Sequence, residues 1–173
     1  DGGFLTTNDK TIYEKAKLLR EHGLVNRNES THFGFVSRMD SIQAAILNYR
    51  LKKLKDVISK RRENAEYYFN NLNSKYINLP FEKKYEFNTY HTFVIQIDKR
   101  EALRSYLKEN NIITGIHYPI PIHLQSAASK LGYKKGDFPM VERQSERILS
   151  LPVHQYLNKT DLKNIARKIN DFF

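Results

Sequence analysis

The sequence contains no cysteine among its 173 residues. This excludes a disulfide-stabilised scaffold and any metal site with cysteine ligands, and it fits a reducing cytoplasm, which we take as the expected location. No apolar run approaches the roughly 20 residues that a membrane-spanning helix needs. Internal repeats and low-complexity tracts are also absent. These absences leave the class of globular proteins that do not span a membrane.

The first four residues, DGGF, lack both an initiator methionine and the charged-then-apolar pattern of a signal peptide. We therefore expect the chain to be part of a longer protein. Its length is sufficient for one full hydrophobic core together with a piece of a neighbouring domain.

Basic residues are in excess, with 29 Lys and Arg against 19 Asp and Glu, for a net charge of +10. Such an excess suggests a nucleic acid or another anionic ligand as a partner. The basic residues are interleaved with acidic and apolar ones, as in residues 52–55 and 60–63, which is typical of solvated helix faces. This distribution disfavours nucleic acid as the partner. The same excess of positive charge also suits a sugar nucleotide. A non-catalytic basic binding module remains an alternative.

The order of predicted elements indicates an α/β protein. Residues 2–6 read as a short strand, and Asn8 or Asp9 is placed to cap a helix that ends at Gly23. A single strand and helix cannot form a sheet, so we expect their partners to lie upstream of Asp1.

A long helical segment, residues 37–75, is predicted to link two parts of the chain. Residues 37–40, SRMD, resemble a capping box. Apolar residues spaced three and four apart then predict a helix from Ile42 to about Asn73, with a break near Asp56. Because sustained heptads with opposed charges are absent, a linking helix is favoured over a coiled coil.

Residues 76–173 are predicted to form one compact α/β unit. Residues 92–97 and 112–116 read as strands, and residues 139–149 read as a helix. A last amphipathic helix is predicted to begin near Thr160.

The segment TGIHYPIPIHLQ, residues 114–125, is the centre of the candidate site. Pro119 and Pro121 fix their own φ angles and favour an extended conformation at Tyr118 and Ile120. The segment is therefore predicted to be a stiff continuation of the strand before it.

Two histidines, His117 and His123, are separated by six residues on this segment. On an extended chain an even separation turns both rings the same way, so they are predicted to line one polar pocket. The alternative is a loop shaped by prolines, with histidines that serve packing. No carboxylate or cysteine lies at metal-ligand spacing beside them, so no metal is expected.

Characteristic stretches follow one another along the chain at residues 1–3, 6–9, 19–23, 34–47, 90–93, 115–125, 136–139 and 149–152. In order and spacing they resemble the DegT/StrS family of pyridoxal-phosphate-dependent aminotransferases, which act on nucleotide-linked keto-sugars. The resemblance implies an α/β fold of the aspartate-aminotransferase type (fold type I). It assigns residues 1–36 to the tail of the large cofactor domain and 76–173 to the small C-terminal domain.

The resemblance implies an enzyme when the protein is complete. It would transfer an amino group, usually from glutamate, to a keto-sugar used for surface polysaccharide or antibiotic sugars. The family's Schiff-base lysine lies just before the Gly-Gly pair that opens this chain, so no catalytic residue is expected within it and the chain alone should be inactive. A deoxysugar dehydratase on the same scaffold, with histidine in place of that lysine, is an alternative.

The resemblance also implies the cofactor site. In this family, a loop of one subunit of a homodimer reaches the phosphate of the pyridoxal phosphate held by the other. Arg38 and Ser37 match that loop, and a guanidinium suits phosphate recognition. Val36 stands where the family usually has asparagine, and a valine side chain cannot donate to a phosphate.

Three further residues, His117, Tyr118 and His123, match family residues of the small domain that approach the cofactor and the sugar. They are the predicted substrate-binding residues. The resemblance does not identify the sugar nucleotide or the carbon that receives the amino group.

Overall fold

The computed structural model describes residues 3–173 and divides the chain into two compact units. The first unit runs to Leu54 and the second covers Lys55–Phe173. This division falls inside the predicted linking segment, residues 37–75. The three-part domain organisation expected from the sequence stays a prediction.

The first unit contains helix α1, Lys10–Leu19. The Asp9 carboxylate accepts hydrogen bonds from the backbone N–H groups of Thr11 at 2.7 Å and Ile12 at 3.1 Å. The predicted cap is therefore confirmed, because these bonds satisfy donors that have no partner within the helix. The strand predicted for residues 2–6 is wrong for the described residues 3–6, which pair with no other strand. Gly2 lies outside the described residues.

A tight approach of two backbone segments follows α1. Gly23 has φ +72°, and a Cβ atom built there would lie 1.9 Å from the carbonyl oxygen of His32. A side chain is therefore excluded at this position. The chain then forms a small antiparallel hairpin of strands β1, Leu24–Asn26, and β2, Glu29–Ser30.

The predicted long helix consists of two helices in the structure, α2, Ser41–Leu51, and α3, Leu54–Asn71. Its break was predicted near Asp56 but lies at residues 52–53, where the Lys53 N–H bonds to the Arg50 carbonyl in a turn. The predicted capping residue is also corrected. The helix begins three residues later than a cap at residue 37 requires, so Asp40 is the N-cap of α2. The Asp40 N–H donates to Gln43 Oε1 at 3.0 Å, as in a capping box.

A two-stranded antiparallel sheet lies at the centre of the second unit. Strand β3, Phe93–Gln96, pairs with β4, Ile148–Leu151, so that Phe93 lies opposite Leu151. The strand predicted at residues 92–97 is confirmed. The strand predicted at residues 112–116 is reduced to a single bridge between Gly115 and Ser150, because Ile112 N–H is used to close the preceding helix on Leu107.

Helices pack on this sheet. The structure has α4 at Arg100–Glu109, α5 at Pro139–Arg147 and α6 at Lys159–Asp171, with 3₁₀ turns at Ile122–Leu124 and Ser126–Leu131. The helix predicted for residues 139–149 ends two residues early, since the chain from Ile148 onward enters β4.

The core of the second unit lies between these helices and the sheet. The ring centroids of Tyr68 and Phe93 are 5.1 Å apart, and Tyr68 Oη donates to the Pro152 carbonyl at 2.7 Å. The fully buried large apolar side chains are Tyr68, Ile77, Phe93, Ile95, Ile97, Leu103, Leu107, Leu149 and Ile169.

None of the helices in residues 3–173 combines the length and apolar character that crossing a bilayer requires.

Candidate active site

The candidate segment leaves the second unit's sheet beside β4. Gly115 and Ser150 exchange two backbone hydrogen bonds, of 3.0 and 2.7 Å. A Cβ atom at Gly115 would lie 2.7 Å from Cε1 of His117. The glycine therefore lets the imidazole fold back over the chain towards β4.

His117 is oriented by a serine of the sheet. Its Nδ1 lies 2.8 Å from Oγ of Ser150, a residue that is 6 % exposed. The imidazole also meets the Tyr118 ring edge-on, with centroids 5.5 Å apart. Nε2 of His117 has no hydrogen-bond partner among residues 3–173, so it is available to a ligand.

A cavity of about 910 Å³ lies beside His117, entirely within the second unit. Its polar lining includes Arg61, His91, Thr114 and His154. Arg61 Nη1 donates to the carbonyl of His91 at 2.8 Å, which holds the guanidinium at the wall. The buried Thr114 Oγ1 has no partner among the described residues. The imidazoles and the guanidinium suit a ligand rich in hydroxyl or anionic groups.

His123 has different partners from His117. Its Nε2 lies 2.9 Å from Oε1 of Glu142, and the two side chains are 9 % and 11 % exposed. Its ring packs edge-on against Phe138, with centroids 4.8 Å apart. The two histidines were expected to turn the same way on an extended chain. That premise fails because the 3₁₀ turn Ile122–Leu124 ends the extended conformation before His123.

Glu142 is a fully engaged carboxylate. Besides His123, it accepts from Gly136 N–H at 2.9 and 3.0 Å and from Phe138 N–H at 3.3 Å. The hydrogen bond from His123 is the main cause that lowers the pKa of Glu142, and the backbone donors act in the same direction.

The predicted cofactor residues lie in the first unit. Ser37 N–H donates to the Arg20 carbonyl at 3.0 Å, which fixes the backbone beside Arg38. The exposed Arg38 has no hydrogen-bond or ion-pair partner in the part of the chain that the structure describes. A free guanidinium next to a serine hydroxyl is a donor set that fits a phosphate. Val36 pairs through its backbone with Glu21, and its side chain adds no donor.

Sequence reasoning missed Ser150 and Glu142, which position the two histidines. They are 33 and 19 residues from His117 and His123, respectively, so no local spacing indicates these pairs. Arg61 and His154 were also missed. In residues 3–173 no three His, Asp or Glu side chains are grouped to hold a metal ion.

A comparison with protein families decides what kind of protein contains these features. Residues 1–170 match the DegT/DnrJ/EryC1/StrS aminotransferase family. The chain belongs to this family. The resemblance found in the sequence is thereby confirmed.

One curated relative of this DegT-family chain is the dTDP-3-amino-3,6-dideoxy-alpha-D-galactopyranose transaminase of Aneurinibacillus thermoaerophilus. The two are 36% identical over 171 residues, which is 99% of this chain and 47% of the relative. The chain spans about half the length of the curated relatives it matches.

Two solved structures have the same fold as this chain. DesV of S. venezuelae, in complex with a ketimine intermediate, is 28% identical with a TM-score of 0.89, covering 96% of this chain and 45% of DesV. The PLP-form of the putative sugar aminotransferase Spr1654 of Streptococcus pneumoniae has a TM-score of 0.85 at 18% identity, covering 95% and 44%. The second likeness shows the fold alone. Together they confirm the predicted fold type I architecture.

Proposed function

We propose that the complete protein containing this chain is a pyridoxal-phosphate-dependent aminotransferase that transfers an amino group to a nucleotide-linked keto-sugar. The family match over residues 1–170 carries this proposal. The printed activity of the Aneurinibacillus relative, a transaminase of a dTDP-linked amino sugar, supports the substrate class. The product would serve polysaccharide or deoxysugar synthesis, and the cytoplasm is the proposed location.

The substrate contacts are assigned to the His117 cavity. Nε2 of His117 is free for a sugar hydroxyl, while Ser150 holds Nδ1 and so fixes the direction of the ring. The Tyr118 side chain is 73% exposed beside it and can cover the sugar. Direct contact of His123 with the sugar stays a prediction. In the structure the His123 Nε2 is occupied by its bond to Glu142.

The cofactor contact is assigned to Arg38 and Ser37. When bound, pyridoxal phosphate supplies the electron sink that lets the amino group move between donor and keto-sugar. Arg38 would bind the phosphate as a charged donor, with Ser37 as a neutral one. Arg38 has no partner in the described chain, so its guanidinium is free to bind a phosphate. This supports the family arrangement, in which the arginine reaches the phosphate of the cofactor held by a second subunit.

The central proton transfer is assigned to a lysine outside this chain, as the family implies. The chain's own residues would then bind, orient and shield the substrate, and the chain alone would be inactive. His117 has an auxiliary role in this scheme, either bonding a sugar hydroxyl or holding a proton at Nε2.

The test uses the complete protein loaded with pyridoxal phosphate. We expect glutamate and a dTDP- or UDP-linked 3-keto-sugar to give an amino sugar, detected by mass spectrometry, and no amino sugar when glutamate is omitted. The same mixture containing the 173-residue chain should give none, and borohydride should trap no stoichiometric cofactor adduct on it. A dehydrated sugar from the complete protein would instead show the dehydratase alternative.

A further inference from the structure

The segment from His117 to His123 is attached at both ends to one continuous stretch of the second unit. His117 Nδ1 contacts Oγ of Ser150 on β4 at 2.8 Å, and His123 Nε2 contacts Oε1 of Glu142 on α5 at 2.9 Å. Helix α5 ends at Arg147 and β4 begins at the next residue, so both attachments share one support. Two prolines stiffen the chain between them.

The attachment at Glu142 consists of several hydrogen bonds to one carboxylate. Its carboxylate bonds His123 and the N–H groups of Gly136 and Phe138, which fixes the turn before α5 against the end of the segment. Phe138 packs on the His123 ring and also on the Tyr133 ring, at 5.4 Å between centroids. A charged group that is removed from water needs such compensation.

The residues between the two attachments are exposed. Tyr118, Ile120 and Ile122 are 73%, 50% and 86% exposed, whereas the side chains of His123 and Glu142 are about one-tenth exposed. The attachment at Glu142 is thus hidden, while the side chains between the two attachments are presented outward. A direct contact between His123 Nε2 and a sugar would require breaking its bond to Glu142.

We propose that His123 and Glu142 are positioning residues, which hold the 117–123 segment so that Tyr118 and His117 meet the keto-sugar. This inference rests on the proposed function. It gives Glu142 a role in substrate recognition although its carboxylate has no free oxygen facing a ligand.

The test is a kinetic double-mutant cycle in the complete, cofactor-loaded protein with Glu142→Ala, Tyr118→Ala and the double variant. We expect each single variant to raise KM for the keto-sugar about tenfold with little change in kcat. The double variant should lose less than the sum of the two single losses, because both variants weaken the Tyr118 contact with the sugar. Additive losses in the double variant would overturn the proposal, as would an unchanged KM in Glu142→Ala.

Two variants guard against a general loss of structure. Glu146→Ala removes an exposed acid on the same helix that has no partner among residues 3–173, and it should keep wild-type parameters. Glu142→Gln keeps an acceptor oxygen for the Gly136 N–H and should restore part of the affinity if Glu142→Ala fails to fold. A KM rise in Glu146→Ala as large as that in Glu142→Ala would overturn the positioning role.

Amide hydrogen exchange of the same proteins separates this inference from the proposed function, because it needs no activity. We expect faster exchange across residues 117–123 and at Gly136 in Glu142→Ala, and no change in Glu146→Ala. Unchanged exchange overturns the positioning role. Faster exchange in a protein whose wild type makes no amino sugar supports the attachment and overturns the proposed function.

Discussion

Arg62 on α3 and Glu82 in the loop before β3 form a two-point ion pair, with Nη1–Oε1 at 2.9 Å and Nη2–Oε2 at 3.4 Å. The Arg62 guanidinium also lies over the Phe87 ring, 4.5 Å from its centroid. Glu82 accepts two further bonds, from Asn88 N–H and from Tyr90 Oη at 2.9 Å. The Glu82 carboxylate thus links Asn88 and Tyr90 of this loop to Arg62 on α3.

This arrangement predicts acid sensitivity. The hydrogen bond from Arg62, followed by that from Asn88, lowers the pKa of Glu82 from its usual 4.5 to about 2. The folded state therefore binds a proton less readily than the unfolded one. The stabilisation by Glu82 is fully present above pH 4.5 and is lost as pH falls towards 2.

We accordingly expect Glu82→Gln to lower the free energy of unfolding at neutral pH and to flatten its decline below pH 4.5. Urea unfolding at a series of pH values measures both effects. Glu66→Gln, which changes an exposed acid on α3 without a partner in the described chain, is the control. A decline in Glu82→Gln as steep as in wild type would contradict this account.

A second prediction concerns the core. Tyr68→Phe removes the bond from Oη to the Pro152 carbonyl, at 2.7 Å, and leaves that oxygen without its donor. We expect a loss of about 1–3 kcal/mol in the free energy of unfolding. Tyr67→Phe, at the neighbouring position of α3, removes a hydroxyl that has no partner in residues 3–173 and should change little. Equal losses in both variants would show that the Tyr68 bond is not the cause.

The sequence predicts helical faces well where burial repeats at short range. The last helix, predicted to be amphipathic, is α6, and its apolar residues Leu162, Ile165 and Ile169 are buried. Their spacing of three and four residues puts them on one side of a helix, whatever lies opposite. Local information is sufficient there.

Pairings between distant residues are not predictable in this way. The apolar run from Ile148 fits a helix end as well as a strand, and only its pairing with β3 decides for the strand. The same holds for His123 and Glu142, which are 19 residues apart and meet because α5 packs beside the 3₁₀ turn. The candidate segment is visible in the sequence, but its supports are visible only in the fold.

A third prediction tests the cofactor contact. In the complete protein, Arg38→Ala should weaken retention of pyridoxal phosphate by about 1.5–3 kcal/mol, the range for a hydrogen bond to a charged group. Equilibrium dialysis followed by cofactor absorbance measures the retention. Arg27→Ala, which removes an exposed arginine of the same unit outside the predicted loop, is the control. Unchanged retention in Arg38→Ala would remove this residue from the site.

The last prediction separates the two histidines by kinetics. His117→Ala removes an imidazole whose free Nε2 lines the cavity, so we expect kcat/KM for the keto-sugar to fall about tenfold or more. Ser150→Ala keeps the imidazole but frees its direction, and a smaller loss of the same kind should follow. His123→Ala acts only through placement and should mainly raise KM. Steady-state kinetics with thermal melts measure this, and His32→Ala, in the first unit, is the control. If both His117→Ala and His123→Ala kept wild-type values, the 114–125 segment would be a loop without a role in the reaction.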